Sequence, residues 1–131
     1  DGNPYEMSFS GLKTAVINLV HNAEQKGEAI DRASLAASFT KAVSDSLVPR
    51  TVRAAHELGY KKVVVAGGVA ANSRIRADFK RAAEANGFSL YIPPLKLCGD
   101  NGAMIGAQGY YEYLAGNTAG SDLNAYATME L

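Results

Sequence analysis

The 131-residue sequence has a single cysteine, no tryptophan and no excess of either charge. Cys98 alone excludes an internal disulfide framework and favours a reducing compartment, so we predict a cytoplasmic protein. The 13 basic and 13 acidic residues cancel, so the overall charge gives no case for nucleic-acid binding. No apolar run reaches the length of a membrane span. The hydrophobic content of 47% is sufficient for a real core and favours a single globular domain.

A nucleic-acid partner would therefore need a local basic patch. Four basic residues fall in one predicted helix and could form part of it: Arg74, Arg76, Lys80 and Arg81. A solvated helix face is at least as good an interpretation of the same residues.

The most informative stretch, residues 61–76, predicts a strand, a glycine turn and a helix. Three consecutive valines, 63–65, predict a short, fully buried strand of a parallel sheet. Gly67 and Gly68 then let a ligand approach the backbone closely, because no Cβ is in the way. A helix that begins near Ala70 or Asn72 directs free N–H groups and a positive dipole end to the same place, as in sites for nucleotides and other anions. The glycine pair alone is more often only a tight connection.

Apolar spacing also predicts the other elements. A first helix follows a serine cap at Ser8 or Ser10 and ends at Gly27, and its buried stripe is Leu12, Val16, Leu19, Val20 and Ala23. Asp31 caps a second helix, which Pro49 stops or kinks, and a third helix covers about residues 50–58. A second parallel strand covers residues 88–92. The last helix has an apolar face of Met104, Ile105, Ala107, Tyr111 and Leu114, and residues 117–131 form a loosely ordered tail.

Asp100 is the best candidate for a chemical role. It lies where the last helix begins, beyond the carboxyl end of the second predicted strand, and open α/β sheets bind ligands at that edge. A carboxylate at this position can cap the helix, coordinate a metal, or do both. The pattern alone favours the cap, with Asn101 as the other capping candidate.

Three stretches resemble the tRNA threonylcarbamoyladenosine transferases, a family formerly known as O-sialoglycoprotein endopeptidases or glycoproteases. They are Val-Val-Val-Ala-Gly-Gly-Val-Ala-Ala-Asn-Ser-Arg-Ile-Arg (residues 63–76), residues 8–16 with Ser-Phe-Ser-Gly-Leu-Lys, and residues 93–105 with Asp-Asn-Gly-Ala-Met-Ile. They occur in the family's order. The resemblance implies the two-lobed α/β fold shared by actin, sugar kinases and heat-shock ATPases. Two strands are few for a nucleotide-binding lobe, and the sequence begins without methionine. We therefore expect residues 1–116 to be part of a C-terminal lobe, helix-rich with a few parallel strands, cut from a longer enzyme.

The function that the resemblance implies is a step of tRNA modification. The threonylcarbamoyl group of threonylcarbamoyl-AMP would pass to N6 of adenosine 37 of tRNA. Gly67, Gly68 and Asn72 match the nucleotide-binding positions, and Asp100 matches a ligand of a divalent metal (iron, zinc or magnesium) that polarises the adenylate. No nucleophilic residue of the protein is required. The implied partners are tRNA, an adenine nucleotide, and paralogous and ATPase proteins of a modification complex.

The sequence departs from the family in two ways. The His-x-x-x-His motif that supplies the other metal ligands is absent, and His21 and His56 lie far apart on predicted structural helices. We therefore expect an incomplete metal site, no activity of this chain alone, and a possible homodimer through its exposed apolar surface. Gly99 stands where threonine is common, which removes a hydroxyl beside Asp100. Cys98 is interpreted as a buried structural thiol, and Lys13 as a solvated lysine that could also reach an anion.

Two other functions stay open. A non-catalytic scaffold paralogue should lack the glycine and Asp-Asn motifs, and this chain keeps both. A sugar kinase or ATPase of the same superfamily would carry its phosphate-binding hairpin and catalytic aspartate outside this chain. A protease, the older name of the family, is disfavoured because the sequence has neither HExxH nor a serine triad.

Overall fold

The computed structural model describes residues 4–125. The chain divides into two compact units, the first reaching Cys98 and the second beginning at Gly99. No helix among the described residues is long and apolar enough to cross a membrane.

The first unit is a helix-rich α/β structure with a two-stranded parallel sheet. Its elements are α1 (Ser10–Lys26), α2 (Arg32–Glu57), β1 (Lys62–Val64), a 3₁₀ turn (Gly68–Ala71), α3 (Ser73–Asn86), β2 (Ser89–Tyr91) and a second 3₁₀ turn (Leu95–Leu97). Val63 of β1 pairs with Leu90 of β2. Because parallel strands need a crossover connection, α3 carries the chain from the end of one strand to the start of the other.

The sheet is covered on one face only, so the prediction of a fully buried strand is wrong. Val63 is buried and packs with Ala55 of α2 and Ala83 of α3. The next residue, Val64, points to the opposite face and is 71% exposed. Its partner in β2, Tyr91, is 53% exposed. Successive side chains of a strand alternate between faces, and α2 and α3 both lie on the Val63 side.

Helix α2 is continuous through Pro49, so the predicted break and the separate third helix are wrong. Proline cannot donate a backbone hydrogen bond within the helix. Two side chains next to it also bond the helix backbone: the Thr51 hydroxyl donates to the Leu47 carbonyl at 2.9 Å, and the Arg50 guanidinium donates to the Ser46 carbonyl at 3.2 Å. Packing of Val43 on one side of Pro49 and Ala55 on the other favours one helix across the whole length.

The predicted capping residues are confirmed at the start of α2 and the end of α1 but not at the start of α1. The Asp31 carboxylate accepts hydrogen bonds from the backbone N–H groups of Ala33 and Ser34 and begins α2 as expected. Gly27, with φ of 67°, ends α1. Helix α1 begins differently from the prediction, because Phe9 is at the capping position and the Ser8 hydroxyl accepts from the Ser10 N–H at 3.3 Å.

The predicted buried stripe of α1 is confirmed only in part: Ala23 is buried, and Leu19 is 49% exposed. The other members, Leu12, Val16 and Val20, are half-buried. The helix contributes Leu12 to a cluster centred on Val43, Ile75 and Phe79. Beside this cluster, the buried Ser44 hydroxyl donates to a carboxylate oxygen of Asp78 at 2.5 Å. Both apolar packing and this polar contact therefore join α2 to α3.

The second unit contains α4 (Gly102–Leu114), which the Asn101 side chain caps by accepting from the Met104 N–H at 2.9 Å. The predicted apolar face is present in the sequence, but the structure leaves it exposed. The large residues of α4 that are at least half exposed are Met104, Ile105, Tyr110, Tyr111, Tyr113 and Leu114. The helix thus presents this apolar face as exposed surface. The tail prediction stays a prediction, and residues 126–131 lie outside the described part.

Candidate functional site

The first unit contains a cleft of about 790 Å³ beyond the end of β1. Three parts of the chain line it: the approach to α1 with its first turn, the middle of α2, and the glycine turn with the start of α3. Its residues are Met7, Ser8, Phe9, Ser10, Lys13, Phe39, Thr40, Val43, Gly68, Val69, Asn72 and Ile75. The cleft therefore brings together two of the motifs that are far apart in the sequence.

The glycine turn has a backbone that only glycine adopts easily. Gly67 has φ of 88° and ψ of 173°, a conformation that is strained for residues with a Cβ. Its carbonyl accepts from the Ala70 N–H at 3.0 Å, which closes the 3₁₀ turn. At both Gly67 and Gly68 a Cβ would meet no atom within 4 Å, so the space beside the backbone is open. Gly68 lines the cleft directly, and Gly67 sets the direction of the turn.

Asn72 caps α3 and also lines the cleft. Its Oδ1 accepts from the backbone N–H groups of Arg74 and Ile75 at 3.0 and 3.2 Å, which identifies this amide atom as the oxygen. Its Nδ2 has no hydrogen-bond partner among residues 4–125. The capping function that the sequence suggested is confirmed. Because the oxygen is occupied, the side chain offers a cleft ligand only N–H donors.

Among the described residues that line the cleft, Lys13 is the one with a charge. Apolar side chains such as Phe9, Phe39 and Val69 form much of the remaining wall. The Ser8 hydroxyl accepts from the Ser10 N–H, and the next N–H groups of α1, those of Gly11 and Leu12, have no partner within the helix. This combination of apolar walls, one cation and N–H donors suits a ligand that has a flat apolar part and an anionic part.

Asp100 lies in the second unit and is exposed. The side chain that caps α4 is that of Asn101, so the capping interpretation of Asp100 is wrong and Asn101 is the correct alternative. Over residues 4–125 no group of three or more His, Cys, Asp or Glu side chains is placed to hold a metal ion. The described residues therefore offer no such cluster for a metal.

The two histidines are on helix surfaces, as the sequence predicts. Both are exposed: His21 contacts Gln25 within α1, and His56 Nε2 lies 3.1 Å from Oδ1 of Asn86. Neither is near enough to other ligand-type residues to add to a metal site in the described part of the chain.

The buried thiol is confirmed, and the four basic residues of α3 do not all form one free surface. Cys98 is buried, with its Sγ 3.6 Å from the Pro94 carbonyl oxygen. Arg74 and Arg81 both pair with Asp78, which offsets their charge. Arg76 is half-buried and bonded to backbone carbonyl groups, so it is not part of a free surface patch.

The cleft residues of α2, Phe39 and Thr40, were not expected at a site. Phe39 has the spacing of a core residue and is only half-buried, because the cleft opens beside it. No local pattern distinguishes a side chain that faces a cleft from one that faces a core. The resemblance to a family was the only signal that related Lys13 to Gly68 and Asn72.

A parallel strand, a glycine turn and a capped helix beside an open cleft define an α/β protein with a candidate ligand cleft beyond the carboxyl end of β1. Sequence comparison identifies the family within this class. The model of the family described as tRNA N6-adenosine threonylcarbamoyltransferase matches residues 2–107, and the chain belongs to this family.

Bacterial proteins that carry this name are close in sequence to the whole chain. That of Staphylococcus saprophyticus is 50% identical over 131 residues, which are 100% of this chain and 38% of the relative. That of Lactobacillus delbrueckii subsp. bulgaricus is 50% identical over 133 residues, again 100% of this chain and 38% of the relative. That of Moorella thermoacetica is 46% identical over 129 residues, 98% of this chain and 38% of the relative. The chain thus spans little more than a third of the length of the curated relatives it matches.

Proposed function

We propose that this chain is part of the C-terminal lobe of a two-lobed, actin-like enzyme that transfers a threonylcarbamoyl group to N6 of adenosine 37 of tRNA. The cleft of the first unit would hold the adenylate part of the donor, threonylcarbamoyl-AMP. The observation that supports this most strongly is the meeting of Lys13, Gly68 and Asn72 in one cleft of a chain that belongs to this family.

The proposed reaction moves the threonylcarbamoyl group from AMP to N6 of the adenosine. A bond forms between N6 of the adenosine and the carbamoyl carbon, and the bond from that carbon to a phosphate oxygen of AMP breaks. AMP leaves with the electron pair, and N6 loses a proton. No protein nucleophile is needed, so the residues of this chain would act by binding and orienting the donor.

Each cleft residue has a distinct part in that binding. The Asn72 Nδ2 donates to an oxygen of the donor, because its Oδ1 is occupied by the cap of α3. The Lys13 ammonium attracts the phosphate, because it is the one charge in the lining. Gly68 allows the ligand to approach the backbone, and Phe39 and Val69 give the adenine an apolar surface.

We further propose that Asp100 supplies one ligand to a divalent metal whose other ligands lie outside this chain. The support is its position in the Asp-Asn-Gly-Ala-Met-Ile motif and its exposed carboxylate, which the cap of α4 does not use. One carboxylate does not hold a metal alone. This chain would then be inactive without the rest of the enzyme, and its partners would be tRNA and the other proteins of a modification complex.

Nucleotide titration of the intact protein that carries this chain tests the proposal against its two rivals. We expect calorimetry to detect AMP binding, and we expect transfer of labelled threonylcarbamoyl to tRNA when the donor-forming and partner proteins are supplied. A scaffold paralogue would bind no AMP. A kinase or ATPase would instead consume ATP in a sugar-dependent or tRNA-independent reaction, and either result would overturn the proposal.

A further inference from the structure

Arg76 joins two separate segments of the first unit. It lies on α3, and its Nη1 donates to the Ala70 carbonyl at 2.9 Å while its Nη2 donates to the Pro93 carbonyl at 3.0 Å. The same Nη1 lies 3.7 Å from the Sγ of the buried Cys98. One guanidinium group thus connects the glycine turn to the segment that follows β2.

The position of Ala70 gives this connection a consequence for the cleft. Ala70 is within the 3₁₀ turn that begins at Gly68, and the turn ends at Asn72, the cap of α3. The turn itself has few internal bonds, from the Ala70 N–H to the Gly67 carbonyl and from the Asn72 N–H to the Val69 carbonyl. A bond from outside the turn therefore adds substantially to its rigidity.

We propose that Arg76 is a positioning residue, which holds the glycine turn in the shape that presents Gly68 and Asn72 to the cleft. For the identity of the ligand, this inference rests on the proposed function. Arginine suits the task because its planar, fork-shaped guanidinium directs two N–H groups at two carbonyls at once. Lysine has a compact ammonium on a flexible stem and does not reproduce this planar arrangement.

Loss of the guanidinium would leave the Ala70 and Pro93 carbonyls without these donors. The turn would then be held by its internal bonds and by the packing of the buried Ala70 side chain. We expect it to sample other conformations, and the fraction of molecules with a binding-competent cleft to fall. Ligand affinity falls in proportion to that fraction.

The test compares Arg76→Met, Arg76→Lys and the control Lys80→Met in the intact protein. Lys80 lies one turn further along α3 and is exposed, so its replacement removes the same charge without touching the glycine turn.

AMP is the ligand for calorimetry, and amide hydrogen exchange follows the Ala70 and Asn72 N–H groups. We expect Arg76→Met to bind AMP about tenfold more weakly, with faster exchange at both amides, and Arg76→Lys to fall between it and the wild type. Lys80→Met should match the wild type in both measurements.

Several outcomes would overturn the inference. If Arg76→Met only lowers the melting temperature and binds AMP with wild-type affinity well below that temperature, Arg76 stabilises the fold and does not position the turn. If Arg76→Met does not fold, Arg76→Lys decides: AMP affinity and amide exchange rates equal to those of the wild type would also show that Arg76 does not position the turn. If the wild-type protein binds no AMP, the nucleotide proposal fails, and unchanged exchange at Ala70 and Asn72 in Arg76→Met rejects the positioning role separately.

Discussion

At the scale of single residues, Asn72 has a structural and a binding role that use different atoms of one amide. The oxygen caps α3, and the nitrogen is left for a ligand. This division makes the two roles separable by a substitution that changes only the nitrogen.

Asn72→Asp keeps an oxygen for the capping bonds and replaces the N–H donors with a second, negatively charged oxygen. Because aspartate caps helices as well as asparagine does, we expect the free energy of unfolding to stay within about 1 kcal/mol of the wild type. AMP binding should fall at least tenfold, since a donor is lost and a negative charge faces the phosphate. Calorimetry and urea unfolding measure the two effects.

The matched control is Asn101→Asp, the same exchange at the cap of α4, which does not line the cleft. It should leave AMP affinity near the wild type and lower the free energy of unfolding by about 1 kcal/mol, because the Asn101 Nδ2, unlike that of Asn72, donates to the Gly99 carbonyl at 2.9 Å. Equal AMP binding by Asn72→Asp and the wild type would show that the Asn72 Nδ2 does not contact the nucleotide.

Asp100 allows a similar separation in the intact enzyme. Because Asn101 is the cap, neither Asp100→Asn nor Asp100→Ala should change the melting temperature appreciably. Both remove the charge that a hard cation requires, so we expect bound metal, measured by elemental analysis, and transfer activity to be largely lost. Full metal occupancy in Asp100→Asn would reject the ligand role.

At the scale of elements, the contact between α2 and α3 includes a polar group that is sensitive to acid. The Asp78 side chain is only 14% exposed and accepts the Ser44 hydroxyl bond, while Arg74 lies 3.4 Å away and Arg81 also pairs with it. The Ser44 hydrogen bond, followed by the charges of Arg81 and Arg74, holds the pKa of the Asp78 carboxyl below its ordinary value. The folded state therefore favours the ionised form.

The sign of the pH effect follows from this lowered pKa. The stabilisation is complete above the unfolded-state pKa of about 4 and is lost as the pH falls below it towards the folded-state pKa. We expect Asp78→Asn to be less stable than the wild type at pH 6 and the difference to shrink at pH 3, in urea unfolding. Asp45→Asn is the control, because the Lys41–Asp45 pair is 59% exposed on both sides and should contribute little. A difference between Asp78→Asn and the wild type that is the same at both pH values would contradict the account.

Elements defined by local chemistry could be predicted from the sequence. The Asp31 cap of α2, the Gly27 end of α1 and the start of α3 at Asn72 are confirmed, because each depends on neighbours within a few residues. The continuity of α2 could not be predicted, since packing on both sides of Pro49 outweighs the local preference to break.

The candidate site was predictable only in part, because some of its features are local in sequence and others depend on packing between distant residues. A strand followed by Gly67, Gly68 and a capped helix is a local pattern. The approach of Lys13 to that turn depends on the packing of α1 against α2, which joins residues distant in sequence. For Arg76 the sequence left a basic patch and a solvated helix face open, and its bonds to backbone carbonyls could not be predicted because a basic residue on a helix carries no local sign of them.

At the scale of the whole molecule, the chain combines exposed apolar surface with a net charge of zero, so little electrostatic repulsion opposes contact between copies. The exposed residues of α4 and the open sheet face with Val64 and Tyr91 are the main contributors. Surfaces of this kind promote association when little net charge opposes it.

We therefore expect the 131-residue chain, expressed alone, to form dimers or larger assemblies in light scattering. Ile105→Glu places a charge on the exposed face of α4, where the side chain is 67% exposed, and should shift the chain towards monomers. Thr118→Glu adds the same charge at an exposed polar position and should have a smaller effect. A monomeric wild-type chain at high concentration would contradict this expectation.

The central claim is that the cleft of the first unit holds the adenylate of the donor. A crystal structure of the intact protein with AMP tests it most directly. The account predicts AMP in the cleft lined by Lys13, Gly68 and Asn72, with the Asn72 Nδ2 within about 3.2 Å of a ligand oxygen. AMP bound elsewhere in the protein, with this cleft empty, would contradict it.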